Sequence, residues 1–155
     1  MVFGRKSDEL KRRKIEAMYE KSRQKFFPDV PEITVAELRD RLSAGEEIVV
    51  VDVRSPNEQA VSMIAGALRT SEFEANIDEY QGKSVVAYCT VGYRSGLFAQ
   101  ELMHRGWPSV YNLAGAVLSW THVGGELEDA QGPTKRVHVY SRQSSLEAEG
   151  YEPVW

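Results

Sequence analysis

The run Ile48-Val49-Val50-Val51-Asp52-Val53 constrains this chain more than any other segment. It is β-branched and apolar without alternation, the pattern of a strand buried on both faces, as in a parallel sheet between two layers of helix. Ser55-Pro56-Asn57-Glu58 follows at once with capping-box spacing and Pro at the first helical position, so a short helix is predicted after the strand. A second strand over Lys83 to Tyr88 ends at Cys89. It is followed by helical spacing of Leu97, Phe98, Leu102 and Met103 within Ser95 to Arg105, stopped by Gly106. Val110 to Leu113 reads as another strand and Gly115 to His122 as another helix. Upstream, Thr34-Val35-Ala36-Glu37 has capping-box spacing, with Val35, Leu38 and Leu42 on one helical face and Gly45 as the stop. The βαβα alternation defines an α/β domain with a mostly parallel central sheet flanked by helices.

Both ends of the chain lie outside this alternation. Residues 7 to 25 lack Gly and Pro and predict a helix, N-capped at Ser7, with a thin stripe of Leu10, Met18 and Tyr19. That composition suits a solvated or loosely docked arm as well as a partner-binding helix. Pro28 and Pro31 mark its joint to the main domain. Past Gly124-Gly125 the periodicity fades, and residues 126 to 155 read as a surface-wrapping tail with an edge strand at Arg136 to Tyr140. The expected organisation is a basic helical arm over 1–27, a domain over 28–127 and a C-terminal tail over 128–155.

Charge divides along the same lines. Residues 1–27 carry nine Lys/Arg against four Asp/Glu, and residues 28–155 carry ten against nineteen. The acidic body would repel phosphate and the cluster Lys11-Arg12-Arg13-Lys14 is short, so no nucleic-acid partner is expected. No apolar stretch approaches the ~20 residues of a membrane helix. The start of the chain lacks a secretory h-region and is too acidic for a transit peptide, so the expected compartment is the cytoplasm, with an organelle as the alternative. His104, His122 and His138 are widely spaced and the chain has one cysteine, so neither a metal, a cofactor nor an internal disulfide is expected.

That cysteine ends a strand, where open α/β sheets place their ligand sites. The loop Cys89-Thr90-Val91-Gly92-Tyr93-Arg94 contains a glycine that permits close backbone approach and leads into a helix at about Ser95. Amides turned inward from such a loop form an anion nest, and the helix N-terminus and Arg94 add positive charge that favours a thiolate. An activated cysteine of this kind needs no histidine as partner base.

Three stretches, Val51 to Glu58, Val86 to Ser95 and Val110 to Trp120, are similar in kind and order to the motifs of the rhodanese family, and together they span residues 32 to 127. The resemblance implies the rhodanese-like α/β fold with the cysteine loop at the bottom of a shallow pocket. It also implies ping-pong sulfur transfer, in which Cys89 takes a sulfane sulfur from a donor such as thiosulfate and passes it to cyanide, a thiol or a protein docked on the basic arm. By the same resemblance Cys89 is the nucleophile, and Arg94 attracts an anionic donor. Thr90, Val91, Gly92, Tyr93 and Ser95 form the cradle, while Asp52 and Arg54 brace it from behind. Leu113 and Trp120 pack the core.

Two rivals share this fold. Dual-specificity phosphatases use a longer ring, with five residues between Cys and Arg, against four here; the smaller ring suits one sulfur atom. A non-catalytic interaction module is the other alternative, against which stands the retained cysteine with Gly92 and Arg94. The chain also departs from its family: Ser62-Met63-Ile64-Ala65-Gly66-Ala67 stands where many members carry Gly-His-Ile-Pro-Gly-Ala, which leaves the pocket rim open to change.

Overall fold

The computed structural model describes residues 2–155, with side chains from residue 7 onward; Met1 of the arm lies outside the described residues. In chain order the helices are α1 (Val2–Phe26), α2 (Val35–Ser43), α3 (Pro56–Val61), α4 (Thr70–Ala75), α5 (Tyr93–His104) and α6 (Ala116–Thr121). The strands of the main sheet are β1 (Glu32–Ile33), β2 (Ile48–Asp52), β4 (Leu68–Arg69), β5 (Ser84–Tyr88) and β6 (Val110–Leu113). They lie in the order β1-β6-β5-β2-β4, and every neighbouring pair is parallel.

The apolar run at 48–52 is buried on both faces because its side chains enter two cores. Val50, with Val86 and Tyr88 of β5, packs against Leu38 of α2 and Val117 and Trp120 of α6. Val49 and Val51, with Val85, pack against Phe73 of α4 and Ala99 and Leu102 of α5. Both predicted capping boxes are formed: the Thr34 and Ser55 hydroxyls accept from the amides of Glu37 and Glu58, whose carboxylates accept in return from the cap amides. Leu113 and Trp120 are core residues, the indole donating to the Glu126 carbonyl at 3.1 Å.

The two flanking segments depart from the sequence reading. Helix α1 begins at Val2, so Ser7 is inside it rather than at its cap. Its buried face is Ile15 and Tyr19, one turn apart, while Leu10 and Met18 of the expected stripe stay exposed. Ile15 joins the first core and Tyr19 and Phe27 the second, so α1 lies across both layers and is neither solvated nor loosely docked. The tail also enters the first core, through Val137, Val139 and Leu146. The edge strand expected at 136–140 is β9 (Arg136–His138), and it pairs in parallel with β10 (Glu152–Val154) instead of joining the main sheet. A third, antiparallel sheet of β3 (Met63–Ile64), β7 (Leu127–Asp129) and β8 (Gly132–Thr134) had no periodic signal, because its strands are only two or three residues long. Arm and tail meet where Lys11 Nζ donates to the Glu147 carbonyl at 2.9 Å and the Glu149 amide donates to Asp8 at 3.1 Å.

Candidate active site

Cys89 follows the end of β5, the middle strand of the sheet, and its loop runs directly into α5. The helix starts at Tyr93, earlier than the sequence pattern suggests, so Tyr93, Arg94 and Ser95 form its first turn. Gly92 precedes it at φ 135°, a conformation open to glycine alone at ordinary cost. A Cβ there would also stand 2.6 Å from Cδ1 of Tyr19, so the arm's buried tyrosine packs closely against the loop.

Backbone polarity in this loop is sorted. The carbonyls of Cys89 and Thr90 accept from the Val117 and Leu118 amides of α6, each at 3.2 Å. The Gly92 carbonyl accepts from the Gly96 amide at 3.1 Å and from Asn112 Nδ2 at 2.9 Å. Among the described residues, the amides from Thr90 to Ser95 have no intramolecular acceptor, as the start of a helix requires of its first turn. Unpaired amides with paired carbonyls give the loop net positive potential. Asn112, which the sequence reading did not single out, has a second role: its Oδ1 accepts from the Ser95 hydroxyl at 2.6 Å, and that hydroxyl lies 3.4 Å from Cys89 Sγ.

Arg94 lines the loop already engaged in an ion pair. Its two terminal nitrogens donate to the two oxygens of Glu58 at 2.8 and 2.9 Å, and Nη2 donates to the Thr90 hydroxyl at 3.0 Å. Glu58 is 4% exposed and serves at once as the capping residue of α3 and the anchor of Arg94. Burial alone would push its carboxyl up; hydrogen bonds from Arg94 and Ser55 outweigh that and hold it down, at about 2. The sequence reading recognised Glu58 only as a cap, although an acid three residues into a helix that faces the cysteine loop could have signalled the second role. The Arg94 guanidinium also sits 5.3 Å from the centre of the Tyr140 ring.

Asp52 ends β2 beside the loop, and Arg54 follows it two residues on. Their side chains are fully buried and bidentate, with Nη2 to Oδ2 at 2.7 Å and Nε to Oδ1 at 3.0 Å. Tyr88, the residue before the cysteine, donates to Asp52 Oδ2 at 2.6 Å and accepts from the Ile64 amide. Burial and the neighbouring Asp52 carboxylate push its phenol well up, so Tyr88 remains a donor. Arg54 further donates to the Ser62 carbonyl at 2.7 Å, and the Ser62 hydroxyl donates to the Arg136 carbonyl of β9 at 2.6 Å. Ser62 opens the segment that departs from the family pattern, and it ties the tail to the site.

A pocket of about 500 Å³ opens over Cys89. Thr90, Val91, Tyr93 and Arg94 line it with the cysteine, whereas Met18, Lys21 and Ser22 come from α1 and Tyr140 and Ser144 from the tail. Gly92 and Ser95 are behind this lining, against Tyr19 and Asn112. Among the described residues there is no group of His, Cys, Asp and Glu able to hold a metal, and no helix long and apolar enough to cross a membrane.

A strand-end cysteine in a loop of unpaired amides, on a five-stranded parallel sheet covered on both faces, defines a rhodanese-fold protein. Residues 34–122 match the Rhodanese-like domain family, and the chain belongs to it. It is 36% identical over 104 residues to a sulfurtransferase of Allochromatium vinosum, a match that covers 61% of this chain and 92% of that protein. It is 30% identical over 127 residues to a tRNA uridine(34) hydroxylase of Bordetella parapertussis, covering 76% of this chain and about half, 52%, of that one. Among solved structures, a thiosulfate sulfurtransferase from Pseudomonas aeruginosa superposes with a TM-score of 0.63 at 24% identity, over 84% of this chain and 25% of the other, which establishes shared fold.

Proposed function

We propose that the protein is a rhodanese-type sulfurtransferase in which Cys89 carries a sulfane sulfur as a persulfide. The Cys89 thiolate attacks the outer sulfur of thiosulfate or a similar donor, the donor's S–S bond breaks, and sulfite leaves with the bonding electron pair. The persulfide's terminal sulfur is then attacked by a thiol, cyanide or a protein nucleophile, and Cys89 leaves as thiolate. The observation that carries this reading is a cysteine at the floor of an open pocket whose loop presents unpaired amides from Thr90 to Ser95. Those amides stabilise the anionic sulfur, Ser95 and Asn112 hold the loop, and Asp52, Arg54 and Tyr88 fix its start. The likeness to a sulfurtransferase over nearly all of that protein's length supports the same class of reaction. With no second cysteine in the chain, discharge requires an external acceptor.

Intact-mass measurement after thiosulfate treatment tests the proposal. Wild type should gain about 32 Da and release it to cyanide as thiocyanate, while Cys89→Ser should do neither. An unchanged mass in folded wild type would sink the carrier role and leave a binding module.

A further inference from the structure

A second cavity, of about 190 Å³, lies away from the cysteine pocket, between α1, the start of α2 and α6. Ile15, Val35 and Val123 give it apolar walls, and the side chains of Tyr19 and His122 enter the same lining. Each of those two carries a buried polar atom with no hydrogen-bond partner among the described residues: the Tyr19 hydroxyl and His122 Nδ1. Buried polar atoms are paired in the great majority of cases, because an unpaired one has given up its hydration for nothing. Two of them on residues that line one cavity call for an occupant that satisfies both.

The chemistry of that occupant follows from the two atoms. His122 Nε2 lies 2.8 Å from the Leu146 carbonyl, which can only accept, so Nε2 carries the proton and Nδ1 offers a lone pair. Burial pushes the imidazole pKa down and keeps the ring neutral. Tyr19 is 5% exposed, and burial pushes its phenol up, so its hydroxyl keeps the proton and can donate. The occupant must therefore bring a donor for His122 and an acceptor for Tyr19. Arg12 and Glu16, both exposed, add one charge of each sign to the lining, which favours an occupant without net charge. The volume is that of one ring, since an apolar cavity of about 150 Å³ holds benzene. Water alone matches the walls poorly, because a buried water needs about two to four polar partners.

We propose that this cavity binds a neutral one-ring amide, whose N–H donates to His122 Nδ1, whose carbonyl accepts from the Tyr19 hydroxyl and whose ring packs on Ile15, Val35 and Val123. The inference does not depend on the sulfur-carrier reading. The site stays outside the cysteine pocket yet adjoins its supports: Tyr19 packs against Gly92, and Gly115, also in the lining, precedes the helix whose amides hold the Cys89 and Thr90 carbonyls.

Benzamide and acetophenone share shape and carbonyl, but acetophenone carries a methyl where the amide has NH2. In NMR titrations of the full chain, benzamide should bind at least about fivefold more tightly, since acetophenone leaves His122 Nδ1 unpaired. Benzamide should also shift the His122 Nδ1 resonance further than acetophenone does. Tyr19→Phe, which keeps the ring against Gly92, should weaken both compounds severalfold, and Val123→Phe, which fills the cavity, should abolish binding of both; circular dichroism checks that each variant is folded. Equal affinities, affinities indifferent to Tyr19→Phe, or shifts that gather at Val91 and Tyr140 rather than at Val35 and Val123 would overturn the inference. So would the absence of binding by folded wild type, which would leave the cavity to water.

Discussion

Replacing Gly92 by alanine should damage the protein in two separable ways. At φ 135° the new residue sits in a conformation that L side chains avoid, at a cost of about 1–3 kcal/mol. Its Cβ would stand 2.6 and 2.7 Å from two carbons of the Tyr19 ring, and overpacking of a filled site costs a further ~1–3 kcal/mol. We expect a loss of roughly 3–4 kcal/mol, which for a chain of this size lowers Tm by about 6–16 °C. Tyr19 is buried, so it cannot swing into solvent to make room. The loop must yield instead, displacing its amides, and sulfur loading of Cys89 should fall at least about tenfold. Thermal denaturation followed by circular dichroism, with intact mass as the activity readout, measures both effects. Tyr19→Ala apportions them: alone it should cost about 3–5 kcal/mol, but in the Gly92→Ala background about 1–2 kcal/mol less, because it removes the clash and leaves only the φ penalty. Wild-type Tm and loading in Gly92→Ala would refute the account of the loop. Strict additivity of the two substitutions would refute the part assigned to Tyr19.

Two other substitutions test the charges around the loop. Glu58 is held at about 2 in the folded protein, below the ordinary ~4.3, so its stabilisation is complete at neutral pH and is lost as pH falls through that interval toward 2. Glu58→Gln should therefore destabilise the protein at pH 7 and little at pH 2.5, measured by denaturant unfolding at each pH; equal losses at both would show that the Arg94 anchor is not electrostatic. Asp52→Asn leaves the Arg54 charge buried without its counter-ion and should cost about 3–5 kcal/mol in urea unfolding, while loading per folded molecule stays near wild type, as a bracing role requires. Loading lost in proportion far beyond the unfolded fraction would place the pair in the chemistry.

The core of the fold was legible because its signals are local. An unalternating β-branched run, two capping boxes and a glycine stop set β2, α2, α3 and α5 in place before any tertiary contact is considered. The cysteine loop was legible for the same reason, since a strand end, a glycine and a helix start follow each other in ten residues. What the sequence hid depends on contacts between distant segments. Helix α1 looks solvated because its buried face is reduced to Ile15 and Tyr19; a stripe of two residues has no moment to detect, yet it reaches both cores. The double duty of Glu58 was hidden because its capping role already explained it. The role of Ser62 in tying β9 to the site appears in the sequence only as a missing family motif.

The electrostatics of the site are a property of the backbone more than of its arginine. Glu58 pairs with the Arg94 guanidinium, and the loop's amides add positive potential at the cysteine while the carbonyls beside them are satisfied elsewhere. Helix α6 supplies two of the donors, Val117 and Leu118, from its own first turns, where amides have no intrahelical partner. Its placement depends on Gly115 at φ 76°, where a Cβ would collide with the Ser119 hydroxyl, and on Ala116 at φ 48°, one of two non-glycine residues with positive φ among those described. Gly115 and Ala116 thus align one helix start behind another: α6 donates to the loop's carbonyls, and the amides leading into α5 stay unpaired. The segment Val110 to Trp120, distant from Cys89 in sequence, belongs to the site for that reason, and so does Asn112, which fixes the Gly92 carbonyl and the Ser95 hydroxyl from the same strand.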